Sequence, residues 1–152
     1  MAPDERRDSI VIIALDVEGT LVSNAVSQVP RPGLRTFLEA CADLATEVVI
    51  FTSVPETRFR QMAAHLVSRG EAPEWFSRAT FVQWQGPYKR ISFISGSEDE
   101  AAVLVDDMGL GVHPDDRAHW IAVPPFEPPY PETDNALEGV LAAIRGRVDG
   151  EQ

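Results

Sequence analysis

Apolar runs of strand length alternate along this chain with segments whose apolar residues recur at helical spacing. That alternation predicts an α/β domain, a Rossmann-like open and mainly parallel sheet with helices on both faces. The first run, Ile10 to Leu15, is a buried strand that ends abruptly at an acid, Asp16. After a polar loop, Pro30-Arg31-Pro32-Gly33 leads into LRTFLEACADLA, where Leu34, Phe37, Leu38, Cys41 and Leu44 share one helical face and Pro32 suits a first turn. Glu47 to Phe51 reads as the second strand, and a helix from about Glu56 to Ser68 follows Pro55 and stops at Gly70. Ala79 to Trp84, Ala101 to Val105 and Trp120 to Val123 are the expected third, fourth and fifth strands, and Leu137 to Ile144 a closing amphipathic helix. No internal repeat or long linker interrupts the pattern, so residues 1–152 read as a single domain, with 1–8 flexible. The Pro-rich stretch 123–133 is expected to cross the surface in extended form.

Composition narrows the class. With 44% hydrophobic and 24% charged residues in 152, the chain is a globular protein able to bury a sheet. Its apolar runs fall far short of the ~20 residues of a membrane span, and MAPDERRDSI is too charged for a signal peptide. A cytoplasmic location with no membrane association is expected. The lone Cys41 excludes a disulfide framework or a cysteine-rich zinc site. A net charge of −11 argues against nucleic acid as the partner, because phosphate backbones select clustered Lys and Arg.

The chemistry gathers where strands end. In an open α/β sheet the carboxyl ends of the strands face the ligand crevice. Asp16 and Glu18 stand two residues apart there, Gly19 permits a sharp turn, and Thr20 offers a hydroxyl to an anion. Thr52-Ser53 follow the second strand, Lys89 lies in GPYKRIS, and Asp106-Asp107 end the fourth strand in VLVDDMG. Singly, each has an ordinary reading as a cap, a solvated charge or a turn; the order Asp, Thr, Lys, Asp-Asp is what carries weight. Arg31, Arg58, Arg60 and Arg90 are the other cations of interest, with Arg58 and Arg60 read as solvated helix charges. His65 reads as a helix-surface residue, His113 and His119 lack a third ligand, and Trp75, Trp84 and Trp120 read as core or rim aromatics.

With DVEGTLV, FTS, Lys89 and VLVDDMG in this order, the chain resembles the haloacid dehalogenase (HAD)-like superfamily. RPGLRTFLEA, VVIFTSVPETRFR and WIAVPPFEP make it most similar to the uncapped branch of NLI-interacting-factor-like, RNA polymerase C-terminal-domain phosphatases. The resemblance implies a HAD-like fold without a cap domain and a Mg²⁺-dependent phosphatase acting through an aspartyl-phosphate. In that scheme Asp16 is the nucleophile and Glu18 the acid and base. Thr52, Ser53 and Lys89 hold the phosphoryl group. Mg²⁺ sits on Asp16, the main-chain carbonyl of Glu18, and Asp107, with Asp106 as an alternative ligand. The implied partner is a phosphorylated substrate, protein or small molecule. Two departures stand out. Glu18 replaces the more usual Asp, as in the enolase-phosphatases with their Asp-x-Glu-Gly-Thr, and only SNAVSQVP occupies the place of the small sheet insertion common in the branch. A response-regulator receiver uses similar residues in the reverse order and is rejected. The alternative is a catalytically weak or inactive binding or scaffold module of the same fold, as in a mitochondrial import receptor subunit.

Overall fold

A computed structural model describes residues 12–94 and 102–148. The stretch 1–8, and Ile10, Val11 and Ala101 at the starts of two expected strands, lie outside it. Among the described residues there are five strands: β1 (Ile12–Leu15), β2 (Glu47–Ile50), β3 (Thr80–Phe81), β4 (Ala102–Asp106) and β5 (Trp120–Ala122). The α-helices are α1 (Leu34–Leu44), α2 (Glu56–Ser68) and α3 (Ala136–Val148). The strands form one sheet in the order β3-β2-β1-β4-β5, and every pairing is parallel. The expected open parallel α/β sheet is therefore what the chain forms. β1 and β4 are buried along their whole length, as strands flanked on both edges and covered on both faces must be.

The two faces are covered unequally. Ile13 and Leu15 of β1, with Val48, Ile50, Val103 and Val105, meet the apolar stripes of all three α-helices, among them Phe37, Phe59 and Ile144. On the opposite face Ile12, Ala14, Val49, Ala102 and Leu104 pack under Ile91, Ile94 and Val112, with Trp84, Phe93 and Trp120 at the margin. Those covering residues belong to short 3₁₀ turns such as Ile91–Phe93, and to loops, so among the described residues the second face has no α-helix. Connection handedness decides which segment covers which face: the chain winds one way from β1 to β3, which puts α1 and α2 on one face, and the other way from β4 to β5, which puts the 107–119 connection, built of 3₁₀ turns, on the opposite face.

The limits of β3, β4 and α3 differ from the sequence pattern for local reasons, and β2 and β5 each end one residue early. β3 pairs only at Thr80–Phe81, because beyond Val82 the chain turns the Trp84 ring inward to donate its indole N–H to the Thr52 carbonyl at 2.9 Å. β4 runs one residue further, to Asp106, which pairs with Ala122 of β5. α3 starts at Ala136, whose N–H is accepted by Asp134 at 3.0 Å, and it outlasts its apolar pattern while Arg147 bonds the Ala118 carbonyl at 3.0 Å. Residues 123–133 contain no helix or strand, and Val123 and Phe126 anchor the stretch in the core. Among the described residues no helix is long and apolar enough to cross a membrane.

Phe59 is fully buried and packs edge-on against Phe76, with ring centroids 5.3 Å apart. Phe59→Ala is expected to lower unfolding free energy by about 3–5 kcal/mol. Val26→Ser, at a side chain 84% exposed, is expected to change it by less than about 0.5 kcal/mol; urea unfolding at constant m-value measures both.

Candidate active site

β1 and β4 are neighbours in register, with Leu15 opposite Val105. The next residue of each strand, Asp16 and Asp106, therefore emerges at the same level, and the Asp16 N–H donates to the Val105 carbonyl at 3.0 Å. The winding direction reverses between these two strands, which opens a crevice at their carboxyl ends. There one oxygen from each of Asp16, Asp106 and Asp107 lies within 4.8 Å of the others. Lys89 enters between them, its Nζ 2.9 Å from Oδ1 of Asp16 and 2.6 Å from Oδ2 of Asp106. The lysine is held at its backbone too, donating to the Gly111 carbonyl at 2.8 Å and accepting from His113 N–H at 3.1 Å. Asp116 steadies the following residues by accepting from Arg90 Nε at 3.3 Å and Ile91 N–H at 3.0 Å.

The turn after β1 closes the cluster from above. Gly19 has φ of +76°, and a Cβ there would collide with the Asp107 carboxylate, so glycine is required on two counts. Thr20 is fully buried, its hydroxyl 2.9 Å from Oδ2 of Asp16 and 3.3 Å from Oδ1 of Asp107. Its single proton thus ties the carboxylate that follows β1, Asp16, to the one that follows β4, Asp107. Glu18 behaves differently. Its Oε2 accepts the Ala25 N–H at 2.6 Å, bracing the 24–28 turn, and it is not one of the three clustered carboxylates.

Electrostatics follow from this crowding. Burial raises the Asp16 carboxyl to about 6, opposed by Lys89 and reinforced by Asp107. Asp106 is raised by burial and then by the Asp16 charge. Asp107, half-buried, is raised chiefly by burial as well. Burial alone pulls Lys89 down, but the charges of Asp16 and Asp106 outweigh it and hold the ammonium above its ordinary value. Three acids against one lysine leave two negative charges in excess when all are ionised. An all-oxygen donor set with that excess fits a hard divalent cation such as Mg²⁺.

Of the residues singled out in the sequence, the fold brings Asp16, Lys89, Asp106 and Asp107 together. Thr52 follows β2 on the neighbouring rung, where Phe51 N–H donates to the Leu15 carbonyl at 2.8 Å. Its Oγ1 accepts the Val54 N–H at 3.1 Å, which leaves the hydroxyl proton to donate elsewhere. Thr52 and the exposed Ser53 line a cleft of ≈ 340 Å³ with Pro55, Gln83, Trp84 and Gly86. Arg60 is structural, bonded to Glu56 and to the Ser77 and Ala79 carbonyls. Arg58 and His65 are exposed, His113 Nδ1 accepts the Asp115 N–H at 3.0 Å, and His119 Nδ1 bonds the Ala102 carbonyl at 2.9 Å. Cys41 is buried and free, its thiol pushed up to about 12 by burial. What the spacing did not disclose is that Thr20 aims at carboxylates, and that Asp134, from the far end of the chain, reaches the first loop through Arg31.

The family profile for NLI interacting factor-like phosphatases matches residues 4–151. No curated relative matches the chain at a significant level.

The raised carboxyls give a pH signature. Asp16 in the folded protein releases its proton near 6, the unfolded chain near 3.8. Between these values the folded state holds a proton that the unfolded state has lost, so this contribution is present below about 4 and is lost as pH rises through 6, on the order of 3 kcal/mol for a shift of about two units. The lowered Asp116 and Asp134 act in the opposite sense at more acidic pH. Melting curves in chelator should therefore show stability falling from pH 4 to 7, and millimolar Mg²⁺ should flatten that slope.

Proposed function

The chain belongs to the NLI interacting factor-like phosphatase family, and from that premise we propose that it is a Mg²⁺-dependent phosphatase that hydrolyses a phosphate monoester through an aspartyl-phosphate on Asp16. The observation that carries this reading is the meeting of Asp16 with Asp106, Asp107 and Lys89 at the reversal point of the sheet. Asp107, Asp16 and the main-chain carbonyl of Glu18 would hold the metal. Both oxygens of Asp106 already accept bonds, from Lys89 and from the Met108 N–H at 2.9 Å, which favours Asp107 as the direct carboxylate ligand. Bound Mg²⁺ supplies positive charge against the phosphoryl oxygens.

The remaining chemistry falls to the chain. Asp16 is oriented through both its oxygens, by Lys89 and by Thr20, and with a carboxyl near 6 it is mostly ionised at pH 7. One of these oxygens forms a bond to phosphorus as the ester P–O bond breaks. Lys89 has three N–H donors and gives two to Asp16 and Asp106, so the third would serve a phosphoryl oxygen. Thr52 and Ser53 donate to the other oxygens from the mouth of the cleft. Glu18 gives the leaving oxygen its proton and afterwards takes one from the water that attacks phosphorus and releases Asp16. Oε2 of Glu18 is engaged by Ala25, so Oε1 is the oxygen assigned to proton transfer.

The stretches after β1 and after β2 contain no inserted domain, and the cleft beside Thr52 is open. Such a site suits a phosphorylated macromolecule. The cytoplasm is the proposed setting, in keeping with a single buried, unpaired cysteine.

Hydrolysis of an aryl phosphate, with Mg²⁺ and with chelator, tests the reading. Asp16→Asn is expected to keep or raise the melting temperature, since it removes a buried like charge, while lowering turnover at least about a thousandfold. Glu18→Gln is expected to lower kcat about 10²–10⁴-fold. A well-folded wild-type protein without metal-dependent turnover would favour the binding-module alternative instead.

A further inference from the structure

Arg31 is only 1% exposed, and every donor bond of its side chain goes to one of two places. Nε and Nη2 donate to the two oxygens of Asp134, each at 3.0 Å. Nη1 donates to the main-chain carbonyls of Gly19 at 3.2 Å and Thr20 at 3.3 Å. The backbone N–H of Arg31 adds a bond to the Leu21 carbonyl at 2.9 Å. The guanidinium lies over Phe126, 5.2 Å from the ring centroid, and Phe126 in turn donates its N–H to the same Gly19 carbonyl at 2.8 Å. Asp134 is itself fixed, because Oδ1 also accepts from Ala136 at the head of α3.

Burying a guanidinium is costly unless its donors are matched. Here the planar fork bridges a carboxylate and two carbonyls at once, which the point charge of a lysine cannot reproduce. The two carbonyls belong to the residues that touch the acidic cluster: Gly19, whose missing Cβ admits Asp107, and Thr20, whose hydroxyl joins Asp16 to Asp107. Resting on the phosphatase reading above, we infer that Arg31, anchored by Asp134, is a positioning residue that holds the Gly19–Thr20 turn and so sets the separation of the nucleophilic and metal-holding carboxylates. It acts through Thr20 and contributes no contact to the substrate.

The test is a double-substitution cycle of Arg31→Lys with Thr20→Val, with Asp134→Asn as a second, shape-preserving variant. Three readouts are taken: amide hydrogen exchange in the metal-free protein, Mg²⁺ affinity by calorimetry, and aryl phosphate kinetics. In Arg31→Lys, exchange at Gly19, Leu21 and Phe126 should accelerate about tenfold while β1 and β4 stay protected. Mg²⁺ affinity and kcat should each fall about tenfold, with KM within twofold of wild type. Asp134→Asn should move all three the same way. The double variant should be no worse than Thr20→Val alone, because both substitutions disable one hydroxyl. Unchanged exchange in the turn, or a loosened turn with wild-type Mg²⁺ affinity and kcat, would overturn the assignment, as would fully additive losses. A lowered melting temperature by itself would mark a merely structural arginine. Wild-type protein without turnover sinks the phosphatase reading alone, and exchange and Mg²⁺ binding still decide the role of Arg31.

Discussion

One buried ammonium, that of Lys89, lets two strands end in facing carboxylates. β1 and β4 are adjacent and in register, so Asp16 and Asp106 cannot avoid each other. Without a cation between them, two buried acids would repel and remain protonated. Lys89 bonds one oxygen of each, and the residual excess of negative charge is carried toward Asp107 and the crevice. The cluster thus pairs a buried lysine with an excess of carboxylate oxygens, the donor set on which the proposed divalent cation would sit.

The rest of the molecule serves to keep that cluster in place. From one side, the 109–113 stretch grips the Lys89 backbone through Gly111 and His113. From the other, the turn after β1 lies on Asp107 through Gly19 and Thr20, and Arg31 fastens that turn to the chain's last helix by way of Asp134. Residues more than a hundred positions apart therefore act on one hydroxyl. The same turn needs Glu18 as a brace for Ala25, so the acid assigned to proton transfer also has a local structural duty.

Much of this was legible in the sequence where a period or a residue type is forced by physics. The buried strands β1, β2 and β4 are short apolar runs whose existence could be read directly, and α2, with its Pro before and Gly after, could be read with its limits as well. β3 was overestimated because its apolar residues continue past the point where Trp84 turns away to bond Thr52. That all three α-helices share one face could not be read, since amphipathic stripes do not say which face of a sheet they meet. At the candidate site, the convergence of Asp16, Asp106 and Asp107 could be anticipated because acids at the ends of adjacent strands are chemically conspicuous, and Lys89 because it is a rare cation in an acidic chain. The direction of the Glu18 carboxylate and the bridge by Thr20 depend on turn geometry. The pairing of Arg31 with Asp134 depends on tertiary closure across 103 positions, for which the local pattern has no signal.

In the proposed reaction Asp16 becomes covalently phosphorylated. Incubation with a ³²P-labelled phosphomonoester and Mg²⁺, acid quench and peptide mapping tests it most directly. Hydroxylamine-labile label is expected on the peptide that carries Asp16, and none when chelator replaces the metal. Turnover with no trapped label, or with label on another residue, would contradict it.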